Sequence, residues 1–145
     1  MSYSVDVNLL LYASDRSCRQ HSAAVRFLHR CTEDPDIFFL FWPTVFGYLR
    51  IATHPRIFAH PLSPSEALGN IESLLKLPRV RAVSEGEDFL ECYREVGRRL
   101  TVRGNLVPDA HLAALLQQNG VRTLYTADMD FRKFDFLDVR NPLDS

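Results

Sequence analysis

Long apolar runs, paired cysteines and a strong charge of either sign are all scarce in this chain, and each shortage closes off a class of protein. The longest continuous apolar stretch, Ile37 to Trp42, is far too short to span a bilayer. No basic segment followed by an apolar one opens the sequence, so no secretion signal is expected, and the cytoplasm is the expected compartment. The three cysteines, Cys18, Cys31 and Cys92, are odd in number and lack metal-ligand spacing; free thiols in a reducing compartment are the simplest reading. His21, His29, His60 and His111 show no paired zinc spacing, which leaves them surface or packing roles. A net charge of −1 confers no general affinity for polyanions, so nucleic-acid contact would need a local basic patch. Internal repeats, low-complexity segments and domain linkers are absent from the pattern.

What is present suits one ordinary domain. At 145 residues and 46% apolar content, residues 1–145 can bury a single core. Tyr3 to Val5 reads as a short buried strand, and Asn8 to Ala13 as a helical turn or two. Ala24, Val25, Phe27 and Leu28 give helical spacing between about His21 and Cys31. Ile37 to Phe41 is a continuous apolar run, as in a strand covered on both faces. A helix then runs from Trp42-Pro43-Thr44 to near His54-Pro55. Ser63 with Glu66 three residues on is a capping-box signature for a helix to about Leu77. Val80 to Val83 is a third strand. Ser84 with Glu87 repeats the capping pattern and predicts a helix to about Leu100. Pro108 to Gln118 is a further helix closed by Asn119-Gly120. Val121 to Tyr125 is a strand, and Leu137 to Val139 a last one. Strands alternating with helices predict an α/β sandwich around a mainly parallel sheet. Ligands of such sheets sit beyond the carboxyl ends of the strands.

Acidic residues fall where such a site would lie. Asp6 directly follows the first strand. Asp128-Met129-Asp130 follows the strand-like run Arg122 to Thr126. Asp109 stands just after Pro108 at the head of an apolar helix. Carboxylates brought together repel one another unless a cation joins them, and oxygen ligands suit Mg²⁺ or Mn²⁺. Each acid also has a purely structural use. Asp6 is a favoured helix cap, Asp109 suits the positive end of a helix dipole, and Asp128 and Asp130 suit a turn. Spacing alone leaves both readings open.

Four segments in order resemble a PIN domain of the VapC toxin branch of VapBC toxin–antitoxin systems. They are Val5 to Ala13, Phe46 to Phe58, Leu106 to Leu112 and Tyr125 to Phe131. The resemblance covers nearly the whole chain and implies a three-layer α/β/α sandwich. It also implies a Mg²⁺-dependent endoribonuclease, with Mn²⁺ able to substitute, that cuts RNA and is silenced by a cognate VapB antitoxin. By the same resemblance Asp6, Asp109 and Asp128 are metal ligands, Asp130 is an auxiliary acid, and Asn8 and Thr126 orient the acids or the water. A homodimer is implied as well.

The chain departs from the family at one place. Gly47 stands in Val45-Phe46-Gly47-Tyr48-Leu49-Arg50 where a glutamate is usual, so a second metal site loses a ligand. That departure favours an alternative, a catalytically weakened PIN domain that binds RNA or a protein partner. A phosphotransfer protein with Asp6 as nucleophile fits poorly. Asn8 stands where its second acid belongs, and Lys133 is the only lysine after Lys76. Arg50, Arg56 and Arg103 are the candidate phosphate contacts, although a solvated face is the default for any single cation. Phe38, Phe39, Phe41 and Trp42 are expected in the core. Phe46, Tyr48 and Phe58 are candidates for a partner surface.

Overall fold

The computed structural model describes residues 1–143. Strands β1 (Ser2–Val5), β2 (Ile37–Phe41), β3 (Val80–Val83), β4 (Thr123–Tyr125) and β5 (Asp138–Arg140) form one sheet in the order β3-β2-β1-β4-β5. Each neighbouring pair is parallel, with Ser4 beside Phe39 and beside Leu124 in the central strands. Parallel neighbours require crossover connections. The helices are α1 (Val7–Ser14), α2 (His21–Glu33), α3 (Trp42–Ala52), α4 (Pro64–Leu75), α5 (Phe89–Val96) and α6 (Leu106–Gln118).

Strand side chains alternate between the faces of the sheet, and each face builds its own core. Tyr3, Val5, Phe38 and Leu40 pack with Leu9, Leu10, Phe27, Val45, Tyr48 and Ile71 from α1 to α4. Phe41 and Leu124 pack with Leu112, Ala113, Leu115 and Leu116 of α6, and with Phe131 and Phe134 beyond β4. Helices on both faces make this an α/β/α sandwich. From β1 the chain builds outward to β2 and β3 on one side, then returns to place β4 and β5 on the other. The order therefore reverses between β1 and β4, where open α/β sheets leave a crevice at their carboxyl edge.

Most elements lie where the sequence puts them. The Ser63–Glu66 capping box forms, with Glu66 N–H donating to Ser63 Oγ and Ser63 N–H donating to Glu66 Oε1, both at 3.1 Å. Gly120 closes α6 with a φ of 66°.

Three expectations need correction. Ser84 and Glu87 cap nothing: α5 starts at Phe89, after Asp88 in a left-handed conformation with φ 59°, and ends at Val96. The intervening loop is tied to α6 instead. Gly86 N–H donates to Gln118 Oε1 at 2.8 Å, and Gln118 Nε2 donates to the Glu87 carbonyl at 2.9 Å. Val121 closes α6 rather than opening β4, because its N–H donates to the Leu116 carbonyl at 2.9 Å. Among the aromatics, Trp42, expected in the core, is 37% exposed, and Tyr48 and Phe58, expected at a partner surface, are buried, whereas Phe46 is 63% exposed as expected. Core and surface are thus partly exchanged relative to expectation. For Trp42 and Tyr48 the cause is the phase of α3, whose buried stripe runs through Val45, Tyr48 and Ala52.

Candidate active site

Asp6 sits at the switch point. β1 ends at Val5, and the Asp6 N–H donates to the Tyr125 carbonyl of β4 at 2.9 Å, so the two strand ends are locked side by side. Asp6 then caps α1, with Oδ1 accepting from Val7 N–H at 2.7 Å. The capping reading is therefore correct, and it leaves Oδ2 pointing elsewhere. Oδ2 accepts from the Thr126 hydroxyl at 2.8 Å and from Asn8 Nδ2 at 3.4 Å.

Thr126, fully buried just past β4, organises its neighbours. Its single hydroxyl proton goes to Asp6, while Oγ1 accepts from Asn8 Nδ2 at 3.2 Å and from Asp128 N–H at 2.9 Å. A hydroxyl has one donor and two acceptor lone pairs, so this one is saturated. Asn8 Oδ1 in turn accepts from Ala127 N–H at 3.4 Å. Asp128 caps the 3-10 helix Met129–Lys133 through Asp130 N–H to Oδ1 at 2.9 Å. Asn8, Thr126 and the Asp128 backbone are thereby built around Asp6.

Asp109 lies in the first turn of α6 and is half-buried. Burial first, then repulsion from Asp128, Asp6 and Asp130, pushes its carboxyl up to about 6, against a small opposing pull from Lys133. Burial also raises Asp6, which is only 9% exposed, and Asp128 adds to that rise. The Thr126 and Val7 hydrogen bonds work the other way. The four aspartates thus share one electrostatic field although they come from three separate parts of the chain. They do not make a ready-built cage: among the described residues, no three His, Cys, Asp or Glu side chains converge as a metal cluster.

Gly47 faces Val7, the residue after Asp6. A Cβ built there would meet Val7 Cγ2 at 3.8 Å, an ordinary contact, on the residue next to Asp6. Arg50, Arg56 and Arg103 are all exposed, on the last turn of α3, in the loop after it, and just before α6. None of them is hydrogen-bonded or ion-paired to the four aspartates among the described residues. Sequence reasoning passed over Lys133, whose charge reaches Asp109 from the 3-10 helix that Asp128 caps. The signal was a basic pair, Arg132-Lys133, one turn after an acidic cap. His111 turns away from the acids to Glu85, at 2.6 Å.

A second feature lies on the other side of α1. A groove of about 940 Å³ runs between α1, α2 and α4, with Leu10, Leu28, Ile71 and Leu74 among its apolar walls. Tyr48 is at its floor. The tyrosine hydroxyl is paired with Ser14 Oγ at 2.7 Å and accepts from Asn70 Nδ2 at 2.9 Å. Arg16, His21, His29 and Glu66 add polar groups to the lining. No helix among the described residues is long and apolar enough to cross a membrane.

The chain matches no family profile. Individual proteins match it closely. Ribonuclease VapC48 of Mycobacterium tuberculosis is 42% identical over 142 residues, covering 98% of both chains. VapC ribonuclease Mb2897 of Mycobacterium bovis is 34% identical, covering 97% of this chain and 95% of its own. Among solved structures, VapC20 of Mycobacterium tuberculosis, a sarcin-ricin loop cleaving toxin, superposes with a TM-score of 0.69 at 19% identity, over 96% of this chain and 99% of its own. VapBC2 from Rickettsia felis, bound to a DNA fragment from its promoter, gives 0.70 at 14% identity, over 97% and 98%. The two structures share the fold, and the two ribonucleases share sequence from end to end: the chain belongs to the VapC ribonuclease family.

Proposed function

We propose that this protein is a divalent-metal-dependent endoribonuclease toxin of a VapBC system, acting in the cytoplasm on RNA phosphodiester bonds. The observation that carries the reading is the Asp6–Thr126–Asp128 network at the sheet's switch point, with Asp109 in the same field.

The donor set fits Mg²⁺ or Mn²⁺. It consists of carboxylates with an amide and a hydroxyl, all hard oxygen groups, and contains no thiol or imidazole. Asp6, Asp109 and Asp128 would hold the ion, with Asp130 in support. When bound, such an ion lowers the pKa of a coordinated water and offsets charge on the phosphate under attack. The chain's own groups do the rest. Thr126 and Asn8 fix the rotamer of Asp6, so the carboxylate presents one orientation. Burial and mutual repulsion keep Asp6 and Asp109 poor at holding charge alone, which strengthens their preference for a cation. Arg50, Arg56 and Arg103 offset phosphate repulsion as the RNA backbone approaches an acidic centre.

The groove beside α1 suits the apolar face of an amphipathic partner helix, with polar groups in its lining for register. We assign it to a VapB-type antitoxin, whose tail would extend to the acids and place a cation there. A homodimer is part of the same reading. The experiment is cleavage of cellular RNA by the purified protein with Mg²⁺, with Mn²⁺ and with chelator, before and after adding the product of the adjacent gene. Gly47 favours a second reading, a weakened PIN domain that binds RNA or a partner without cutting. Binding without cleavage in either metal would select it.

A further inference from the structure

The groove between α1, α2 and α4 is apolar along its walls but not at its floor. Ser14 is the last residue of α1, Tyr48 lies in the buried stripe of α3, and Asn70 stands midway along α4. Their polar ends meet in the groove. Asn70 Nδ2 donates to the Tyr48 hydroxyl oxygen at 2.9 Å, and that hydroxyl is paired with Ser14 Oγ at 2.7 Å. Tyr48 is 2% exposed, so its proton needs an acceptor within the fold, and Ser14 Oγ is the one in reach. The hydrogen bonds therefore run from Asn70 to Tyr48 to Ser14.

Each end of this chain keeps an unused group. A hydroxyl that accepts still has its own proton to give, and an amide that donates still has its carbonyl oxygen. Among the described residues, the Ser14 hydroxyl bonds to Tyr48 alone, and Asn70 Oδ1 has no partner. Ser14 is half-buried and Asn70 exposed, so water reaches both in the free protein. A helix laid in the groove removes that water and must replace its hydrogen bonds.

Two features select the occupant. The free donor and the free acceptor flank one phenolic oxygen, so a single planar group can meet both. A primary amide offers its carbonyl to Ser14 and its N–H to Asn70. A carboxylate has no proton for Asn70 Oδ1, an ammonium has no acceptor for Ser14, and an aliphatic side chain strands both groups. The amide fits equally if every hydrogen bond in the chain runs the other way. The rim adds a charge preference. Glu66 is the one acid in the lining, and its carboxylate is tied to the Ser63 N–H, whereas exposed Arg16 makes no salt bridge among the described residues. The matching surface is an apolar helix with one central amide and an acidic end.

We propose that the Ser14–Tyr48–Asn70 chain reads one asparagine or glutamine on the apolar face of the antitoxin helix, with a carboxylate of that helix toward Arg16. The proposal rests on the assignment of this groove to a VapB-type antitoxin. A single buried polar position fixes register in paired helices. Here it also refuses helices that carry an aliphatic residue at that place, because their binding would bury two polar groups unpaired.

The test is calorimetric titration of the purified chain with the product of the adjacent gene. Two variants are compared with the wild type: Asn70→Leu, and Ser14→Ala combined with Tyr48→Phe, which removes both hydroxyls together and strands neither in the free protein. Asn70 is exposed, so Asn70→Leu should fold even if the double variant does not; thermal melts check both. On the other side, each asparagine and glutamine of the gene product is changed to leucine in turn. Each variant of the chain should weaken binding roughly ten-fold. One amide change in the gene product should weaken binding to the wild type by a similar factor and cost little further against Asn70→Leu. Binding that ignores Asn70→Leu, or no amide that couples to it, overturns the proposal. So does sedimentation showing a dimer of the free chain that Asn70→Leu dissociates; the groove then holds a second copy. The two readings fail differently. Tight binding with no coupled amide removes the contact and leaves the antitoxin in place, whereas a gene product that does not bind at all removes both.

Discussion

Thr126 gives its one hydroxyl proton to Asp6 across 120 positions of sequence, at 2.8 Å. The same oxygen accepts the Asp128 N–H, so one side chain sets the geometry at both strand ends. Thr126→Val should leave a buried carboxylate and a backbone N–H without their partner. We expect a destabilisation of about 1–3 kcal/mol together with a clear loss of cleavage rate. Thr126→Ser keeps the hydroxyl and should recover most of both. Urea denaturation and initial cleavage rates on the same preparations check this.

Asp109 carries a pH dependence whose sign follows from its raised pKa. Its carboxyl stands at about 6 in the fold against an ordinary 3.8. Between those values the folded protein holds a proton that the unfolded chain has lost, so metal-free stability falls as pH rises through this window and stays lower above it. Asp109→Asn should therefore stabilise the metal-free protein at pH 7, by on the order of 1 kcal/mol after discounting for partial exposure. The gain should vanish below about pH 4. The same variant should be inactive. Thermal melts in chelator across this pH range give the comparison, and a gain that persists at low pH would reject the linkage argument.

Gly47 has room for a side chain, since a Cβ at this position would have its nearest neighbour, Val7 Cγ2, at 3.8 Å. Gly47→Glu should fold, with a helix preference gained of somewhat under ~1 kcal/mol. Its carboxylate would start from a position facing the residue beside Asp6, so Mn²⁺ should bind more tightly than to the wild type. Calorimetric titration of both proteins measures this, and equal affinities would place position 47 outside the metal's reach.

Val25 lines the groove beside α1 and is exposed, so a charge there should be tolerated by the fold. Val25→Glu should reduce co-purification with the antitoxin while leaving cleavage of RNA intact. Loss of cleavage with retained co-purification would mean that the groove has been assigned to the wrong partner.

Local signals account for what the sequence reveals of this fold. The Ser63–Glu66 box, the Ile37–Phe41 run and the Asn119-Gly120 stop each act over a few residues, and each is realised. Ser84 and Glu87 carry the same short pattern, but Gln118 of α6 captures the Gly86 N–H and the Glu87 carbonyl, and a distant partner outcompetes the local cap. The acids were legible because each sits at the end of an element. The resemblance put Thr126 beside the acids, but spacing could not show its bond to Asp6, because hydrogen-bond geometry across the sheet has no trace there. Lys133 was passed over although the basic pair Arg132-Lys133 follows the acidic cap Asp128 by one turn. The exposure of Trp42 and the burial of Tyr48 depend on the helical phase of α3, which a mostly apolar stretch such as Phe38 to Tyr48 does not fix by periodicity.

The most direct measurement is RNA cleavage by the purified chain beside Asp6→Asn and Asp109→Asn, in Mg²⁺, in Mn²⁺ and in chelator, with the chemistry of the new ends determined. The account predicts cleavage by the wild type in either metal, none in chelator and none by either variant while both remain folded. It also predicts new ends free of 2′,3′-cyclic phosphate, because the nucleophile is an external water rather than the ribose 2′-hydroxyl. Cleavage that survives chelation, persists in Asp109→Asn or leaves cyclic phosphate ends would contradict it.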